Sequence, residues 1–402
     1  MKTNTETNSI TSEVTHVRDS GGGTLYQVGA LPVVVMNGSY KEMGQQYGDL
    51  AKDRLLGARD GWKKIFVDSG TLSFESIHEV LGRPFFMSAP KIRKDLYAGI
   101  AETSGLSLEE VVVLDNWLSL TLLGRRAGCS SYVAWGSRTV DGTAYMGRNL
   151  DFPEFARDLM AKFGVLAVLN PVGGDYGVAG IGIAGTVSAF DDAINSEGLY
   201  IEFNNGVGSI EPVMYSNRYD LPSYMGETLA RYSTIDQLRV VFNSVRANYP
   251  CLMGVSQPDQ GVHFELSPET YIAEASNEES LRANQFMNPG WGIPPLPGVT
   301  GWYSLPRMDA WHKALAATKA PKIDETVIMQ AMNAPMWNAD STLTGTGFSI
   351  FEPIKDPSTG TGEGGDVTVY QLITHSAEPK WWVRIPTYTG WLEIDLKRFF
   401  NQ

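Results

Sequence analysis

Beyond residue 128 this chain of 402 residues breaks into short β-branched runs punctuated by glycine and Asp-Gly: "SSYVAWGSRTVDGTAYMGRNLDF", "GVLAVLNPVGGDYGVAGIGIAG" and "GLYIEFNNG". Runs of this length with turn residues between them read as strands. The part before residue 128 has a different texture. After a strand-like "LPVVVMNG" at 31–38, "SYKEMGQQYGDLAKDRLLGARDGWKKIF" places Met43, Tyr47 and Leu50 at helical spacing despite its glycines. "APKIRKDLYAGIAETSG" is helical as well, and Ser107 with Glu110 in "LSLEEVVVLDNW" has the spacing of a capping box that opens another helix. The texture therefore changes at Gly128 and Cys129.

Further on, helices are expected in "STIDQLRVVFNSVRANYP" and "SLPRMDAWHKALAAT", and strands in "GVHFELS", "TYIAEAS", "DVTVYQLITHS", "KWWVRIP" and "GWLEIDL". Helices lying between strands imply an α+β chain of stacked layers. Residues 1–22 are polar, end in "SGGG" and lack the apolar content that offsets ordering entropy, so they read as a flexible tail. "EPIKDPSTGTGEGGD" at 352–366 reads as a flexible loop. The expected organisation is a tail at 1–22, a mostly helical segment at 23–128 and a core at 129–402.

The formal charge of −13 opposes binding to nucleic acid or anionic lipid and favours a small-molecule ligand. Two cysteines, Cys129 and Cys251, make no disulfide framework, and no spacing suits a metal. The opening "MKTNTETNSITSE" has no apolar run of a signal peptide, and no window is long enough to span a bilayer. A cytoplasmic protein without a membrane span is expected, and the composition leaves a homo-oligomer open.

Cys129 heads the first strand after the change of texture and follows a glycine. A cysteine at the start of a mature chain can serve as nucleophile and carry its own base, because its α-amino group takes the thiol proton. The reference pKa values lie at about 8.5 for the thiol and about 8 for the amine, so that transfer costs only about 1 kcal/mol. Freeing the amine requires cutting between Gly128 and Cys129, and glycine before the cut permits close approach of the thiol to the carbonyl. The five histidines, at 16, 78, 263, 312 and 375, include no evident partner for a Cys-His pair. Cys251 lies among apolar residues in "ANYPCLMGVS" and reads as a core thiol.

The Asp141-Gly142 pair signals a hairpin that brings the chain back through Arg148 and Asp151. With a loop of Asp141-Gly142 alone, Cys129 faces position 154; with a loop over 138–142, it faces Asp151. The second register sets a carboxylate against the new ammonium and a guanidinium near the thiolate.

The run "CSSYVAWG…GRNLDFP" resembles the start of the mature chain in N-terminal-nucleophile hydrolases of the choloylglycine hydrolase and penicillin V acylase superfamily. Relatives in that group include acid ceramidase, N-acylethanolamine acid amidase and the acyl-CoA:6-aminopenicillanic acid acyltransferases. "GSYKEMGQQYG" and "DLYAGIAETSGLSLEEVVVLDNW" resemble the acyltransferase branch in particular. The resemblance implies a four-layer αββα sandwich, self-processing at Gly128-Cys129, and hydrolysis or acyl transfer on linear C–N amide bonds through an acyl thioester. It implies an N-acyl amide or thioester substrate and neither metal nor organic cofactor.

Position by position, Cys129 is similar to the family's nucleophile, Arg148 to the arginine beside it and Asp151 to the aspartate that contacts its amine. "INSEGLYIEFNNG" is similar to the family's Asn-x-x-Gly-Leu segment and implies Asn205, or Asn204, at the oxyanion position. "RANQFMNPGW" implies Asn284 as the second oxyanion candidate with Asn288 as fallback, and "SLPRMDAW" resembles the family's Ser-x-x-Arg at Arg307. Gln285 stands where the acyltransferase branch often has histidine.

Overall fold

The computed structural model describes residues 10–66, 73–117, 128–206, 220–274, 277–297, 304–333 and 366–401. In chain order the strands are β1 (Ile10–Thr11), β2 (Val14–Ser20), β3 (Gly23–Val28), β4 (Leu31–Gly38), β5 (Gly128–Ala134), β6 (Tyr145–Pro153), β7 (Gly164–Pro171) and β8 (Val178–Ile183). They continue with β9 (Asp192–Asn195), β10 (Tyr200–Asn205), β11 (Cys251–Gln257), β12 (Gln260–Leu266), β13 (Tyr271–Glu274), β14 (Glu279–Arg282), β15 (Asp366–His375), β16 (Lys380–Arg384) and β17 (Leu392–Asp395). Among the described residues these make one sheet ordered β1-β17-β16-β15-β6-β5-β14 and another ordered β13-β12-β11-β10-β9-β8-β7-β4-β3-β2. The pairs β1–β17 and β4–β7 are parallel, and the other pairs are antiparallel.

The chain is a mixed α/β protein in which the sheets face each other. Gly254 on β11 sits so close to β6 that a Cβ there would meet Met146 Cε at 2.2 Å, and one at Gly261 on β12 would meet Val133 Cγ2 at 2.4 Å. Glycine is what lets the two layers approach at these points. On the far side of the seven-stranded sheet, the helices Ser304–Ala317 and Glu325–Asn333 bury Trp311, Ile328 and Met332 against Tyr132, Tyr145 and Ile373. On the ten-stranded sheet, the helix Tyr40–Leu50 lies against β4 and crosses the helix Lys91–Ser104. No helix among the described residues is long and apolar enough to cross a membrane.

Several local expectations hold. The Ser107–Glu110 capping box starts the helix Leu108–Asp115, with Ser107 Oγ accepting from Glu110 N at 3.2 Å and Glu110 Oε2 accepting from Ser107 N at 3.0 Å. Helices occupy Ile235–Ser244 and Ser304–Ala317 as expected. Two expectations need correcting. Residues 14–20 are not a loose tail: β2 pairs with β3 across the Gly21-Gly22 turn, and Arg18 bonds Asp49 at 2.8 Å. Backbone pairing at a sheet edge orders this stretch, so its polar side chains can stay in solvent. The change of texture at residue 128 is also no boundary within the sheets, because β2, β3 and β4 of the first segment extend the sheet that holds β7 to β13. Residues 1–9 and nearly all of 352–366 lie outside the described residues; Asp366 opens β15.

The first segment also reaches the middle of the structure. Asp115, at the end of its helix, accepts hydrogen bonds from the backbone N–H groups of Val187 (2.7 Å), Ser188 (3.0 Å) and Ala189 (3.2 Å), and from Tyr97 Oη at 2.6 Å. It thereby fixes the loop between β8 and β9.

The crossing of the helices Tyr40–Leu50 and Lys91–Ser104 depends on glycine at both contacts. A Cβ at Gly44 would fall 2.1 Å from Leu96 O, and one at Gly99 would fall 2.2 Å from Lys41 O. Neither neighbour is a flexible side chain that could move aside. Gly44→Ala and Gly99→Ala are each expected to cost about 1–3 kcal/mol of stability, read as a lower melting temperature by circular dichroism; unchanged melting in both would contradict this packing.

Candidate active site

β5 and β6 form the floor of the site. Cys129 lies opposite Leu150, Gly128 opposite Asp151 and Ser131 opposite Arg148. This corrects both registers considered from the sequence. The Asp-Gly turn is present, with Gly142 at φ 82° and Asp141 Oδ1 accepting from Thr143 N at 2.9 Å. The connection is longer than that turn, because the chain first makes a 3-10 turn at Gly136–Arg138 and bridges Thr139 to Ile323. A one-residue change of register reverses which face each side chain takes. Cys129, Ser131, Arg148 and Leu150 therefore face the ten-stranded sheet, whereas Gly128 and Asp151 share the face toward the helix that carries Arg307.

Arg148 organises the thiol side. Its Nη2 lies 3.6 Å from Cys129 Sγ and also donates to Phe203 O. Its Nε donates to Glu202 Oε2 at 2.8 Å, and its Nη1 donates to Asp192. Tyr200 and Tyr370 also donate to Asp192. Ser131 Oγ donates to Glu202 Oε1 at 2.6 Å and lies 2.8 Å from His263 Nε2, while His263 Nδ1 lies 2.8 Å from Ser280 Oγ. Arg148, Asp192, Glu202, Ser131 and His263 are all fully buried.

Asn284 and Arg307 organise the backbone of Cys129. Asn284 Oδ1 accepts from Cys129 N at 2.8 Å and from Arg307 Nη2 at 2.7 Å, and Arg307 Nη1 donates to Cys129 O at 2.6 Å. Asp151 Oδ1 accepts from Thr368 Oγ1 at 2.8 Å. Asp151 Oδ2 lies 3.9 Å from Arg307 Nη1 and is buried without a hydrogen bond. Asp151, opposite Gly128 in the strand pairing, thus keeps one buried carboxylate oxygen that accepts no hydrogen bond.

The structure thus brings Cys129, Arg148, Asp151, Asn284 and Arg307 together around one peptide bond. Asn205 joins them through its carbonyl, which accepts from Asn284 Nδ2 at 2.7 Å. That bond takes one of the two Nδ2–H donors of Asn284, whose oxygen accepts from Cys129 N. Asn204 turns inward to Ser131 Oγ (3.2 Å) and Glu202 Oε1 (2.9 Å). Asn288 caps the turn Pro289–Trp291 through Gly290 N at 2.8 Å. Gln285 clamps the backbone of Leu296 with both ends of its amide, at 2.9 and 2.6 Å. Cys251 is a buried free thiol on β11, pushed well up by burial and by Asp220.

Burial governs the electrostatics. It pushes the Cys129 thiol up to about 12; Arg148 opposes the rise, and Asp151, Glu202 and Asp191 add to it. In the uncut chain the thiol therefore keeps its proton at neutral pH. Burial raises Asp151 to about 6, against Arg307, Thr368 and Arg148, and raises Asp191 and Glu202 to about 7, against Arg148 in both cases. Burial holds His263 well below its usual range, with Arg282 adding to the effect, so it is neutral.

Glu202, Asp192, Asp191 and His263 escaped the sequence reading. A signal was present in "YIEFNN", where Glu202 stands between Ile201 and Phe203 in a run buried on both faces. A carboxylate there requires a buried partner.

No family model and no curated protein matches the chain. Solved structures do. A mutant conjugated bile acid hydrolase from Clostridium perfringens is 14% identical, with 67% of this chain and 93% of that one covered and a TM-score of 0.44. A second variant of that enzyme is 12% identical with the same coverage and score. Penicillin V acylase from Agrobacterium tumefaciens is 11% identical over 67% of this chain and 87% of that one, with a TM-score of 0.41. These are the kinds of enzyme that the Cys129 motif resembles; at such identity and score, what the site can do rests on its own geometry.

The raised carboxyls have a consequence for stability. Glu202 holds its proton up to about 7 when folded but loses it near about 4.3 when unfolded. Its contribution is therefore present below the unfolded value and lost as pH rises through the folded one. In the Cys129→Ala chain, adding Glu202→Gln removes this dependence. Melting temperatures of the two chains, taken from about pH 4 to about pH 7, are expected to converge or cross in favour of Gln as pH rises; parallel curves would show that Glu202 is ionised throughout.

Proposed function

We propose that the chain is a self-processing cysteine amidohydrolase or acyltransferase that acts on linear amides of N-acyl compounds. The observation that carries this reading is the set of groups around Cys129: a guanidinium on its sulphur, Asn284 Oδ1 on its nitrogen, and Asp151, opposite Gly128, with an oxygen that accepts no hydrogen bond. The packing of helices outside each of the two facing sheets is in keeping with the αββα sandwich that the resemblance implies.

Processing begins with attack of Cys129 Sγ on the carbonyl carbon of Gly128. A C–S bond forms, the C–N bond breaks, and the thiol proton passes to the departing nitrogen, which becomes the α-amine of Cys129. Water then hydrolyses the Gly128 thioester, restoring the thiol and leaving a carboxylate on Gly128. In the cut enzyme Asn284 and Asp151 hold the new amine. During turnover that amine takes the thiol proton, and Arg148 stabilises the thiolate. The thiolate attacks the substrate carbonyl, the ammonium returns the proton to the leaving nitrogen, and water or an acceptor amine resolves the acyl thioester. Asn205 and its neighbours on β10 are the proposed source of oxyanion contacts. This reading keeps the site free of metal and cofactor, takes small molecules as substrates and places the protein in the cytoplasm.

Mass spectrometry of purified protein is expected to show a piece ending at Gly128 and a piece beginning at Cys129, with a single uncut chain for Cys129→Ala. Assays with N-acyl amino acids, acyl ethanolamides, penicillin V and conjugated bile salts should show turnover of at least one compound, lowered at least about a thousandfold in Cys129→Ala and little changed in Cys251→Ala. A fully active protein that remains one uncut chain would refute the reading.

A further inference from the structure

His263 takes no part in the steps proposed for Cys129, yet an unbroken line of hydrogen bonds joins it to the guanidinium on that sulphur. His263 Nε2 lies 2.8 Å from Ser131 Oγ, Ser131 Oγ donates to Glu202 Oε1 at 2.6 Å, and Glu202 Oε2 accepts from Arg148 Nε at 2.8 Å. Arg148 Nη2 then reaches Cys129 Sγ at 3.6 Å. On the other edge of the imidazole, Nδ1 lies 2.8 Å from Ser280 Oγ. The ring does not bond the carboxylate itself: Nε2 stands 3.9 Å from Glu202 Oε1, so the link runs through Ser131. The line crosses between the two sheets at every step, from Ser280 on β14 to His263 on β12, Ser131 on β5, Glu202 on β10 and Arg148 on β6.

The protons along this line can be assigned. Among the described residues Glu202 accepts from Ser131 Oγ, Asn204 Nδ2 and Gly254 N on Oε1, and from Arg148 Nε on Oε2. An ionised carboxylate accepts all of these, and above about 7 Glu202 is ionised. The one hydroxyl proton of Ser131 is then spent on Glu202, and Asn204 Nδ2, 3.2 Å from Ser131 Oγ, brings a further donor. Ser131 Oγ therefore meets the imidazole as an acceptor, and Nε2 carries the proton. The buried ring is neutral and has a single N–H, so Nδ1 is bare and accepts from Ser280 Oγ. A ring with a bare Nε2 would instead compete with Glu202 for the Ser131 proton. A hydroxyl that receives a hydrogen bond also gives a stronger one, so the imidazole both aims and strengthens the bond from Ser131 to Glu202.

Resting on the reading of Cys129 as nucleophile, we propose that His263 is a positioning residue for it: as the Nε2–H tautomer, set by Ser280, it aims the Ser131 hydroxyl at Glu202, and Glu202 holds Arg148 on the Cys129 sulphur. His263 never touches the thiol or the substrate and takes no proton from either.

The tautomer is read by nitrogen NMR of the full Cys129→Ala chain, isotope-labelled at histidine, at about pH 8, where Glu202 is ionised. The His263 signals are those lost in His263→Gln. The proton is expected on Nε2, and a proton on Nδ1 overturns the proposal. In chains that keep Cys129, His263→Leu is expected to lower kcat per processed molecule at least about fivefold, with KM within about a factor of two, and to slow processing by a similar factor. His263→Gln, which carries an amide N–H of similar reach, should regain most of that loss. Adding His263→Leu to Ser131→Ala should cost little beyond Ser131→Ala alone, because both act through one bond. Equal loss in folded His263→Leu and His263→Gln, or no loss in either, overturns the proposal. If the unmutated chain is neither cut nor active, the reading of Cys129 fails, and the Arg148 Nε–H signal decides the positioning: it should shift in His263→Leu and stay in His263→Gln, and a signal that stays in both overturns the proposal.

Discussion

A guanidinium closed off from water ties the two sheets together. Arg148 stands on the seven-stranded sheet and draws Asp192 and Glu202 from the ten-stranded one, while its remaining edge touches the Cys129 sulphur. Removing one partner from a buried pair of this kind strands a charge in a dry interior, at about 3–5 kcal/mol. Cys129 is thus placed by the same contact that aligns the layers. Tyr200 and Tyr370 donate to Asp192 as well, and Ser131, Asn204 and Gly254 N donate to Glu202, so both carboxylates are held in place around the guanidinium.

That arrangement also restrains the thiol. Burial works against ionisation, and the surrounding carboxylates outweigh what Arg148 alone can offset. A sulphur so placed stays a thiol in the uncut chain, where its one proposed reaction passes the proton to the departing nitrogen; turnover needs a separate base. The base in the proposed scheme is created by the processing step itself, which gives the site a built-in order of events: folding, then cutting, then turnover.

Much of this was legible locally. The Ser107–Glu110 box, the strand heads and the pair Arg148 and Asp151 are short-range signals, and short-range chemistry carries them into the structure. What failed was long-range. The register of β5 on β6 depends on where the Asp-Gly turn falls along a connection that Ile323 holds from a distant part of the chain. No feature between residues 129 and 151 records that. Likewise β2 is ordered by pairing with β3 and by Arg18 reaching Asp49, so a reading from apolar content alone misses it. The orientation of Asn284 depends on the carbonyl of Asn205, which only the folded β10 brings near.

The parallel pairing of β4 with β7 joins the first segment to the rest of the protein through a continuous sheet. If the chain is cut after Gly128, nothing in that pairing changes, yet the two strands then belong to different polypeptides. Folding of the precursor is a unimolecular event, helped by the high effective concentration that a covalent link imposes. Reassembly of the cut protein would depend on the concentration of both pieces. A single peptide bond would then separate a molecule that can renew its structure from one that holds it only for as long as it stays folded.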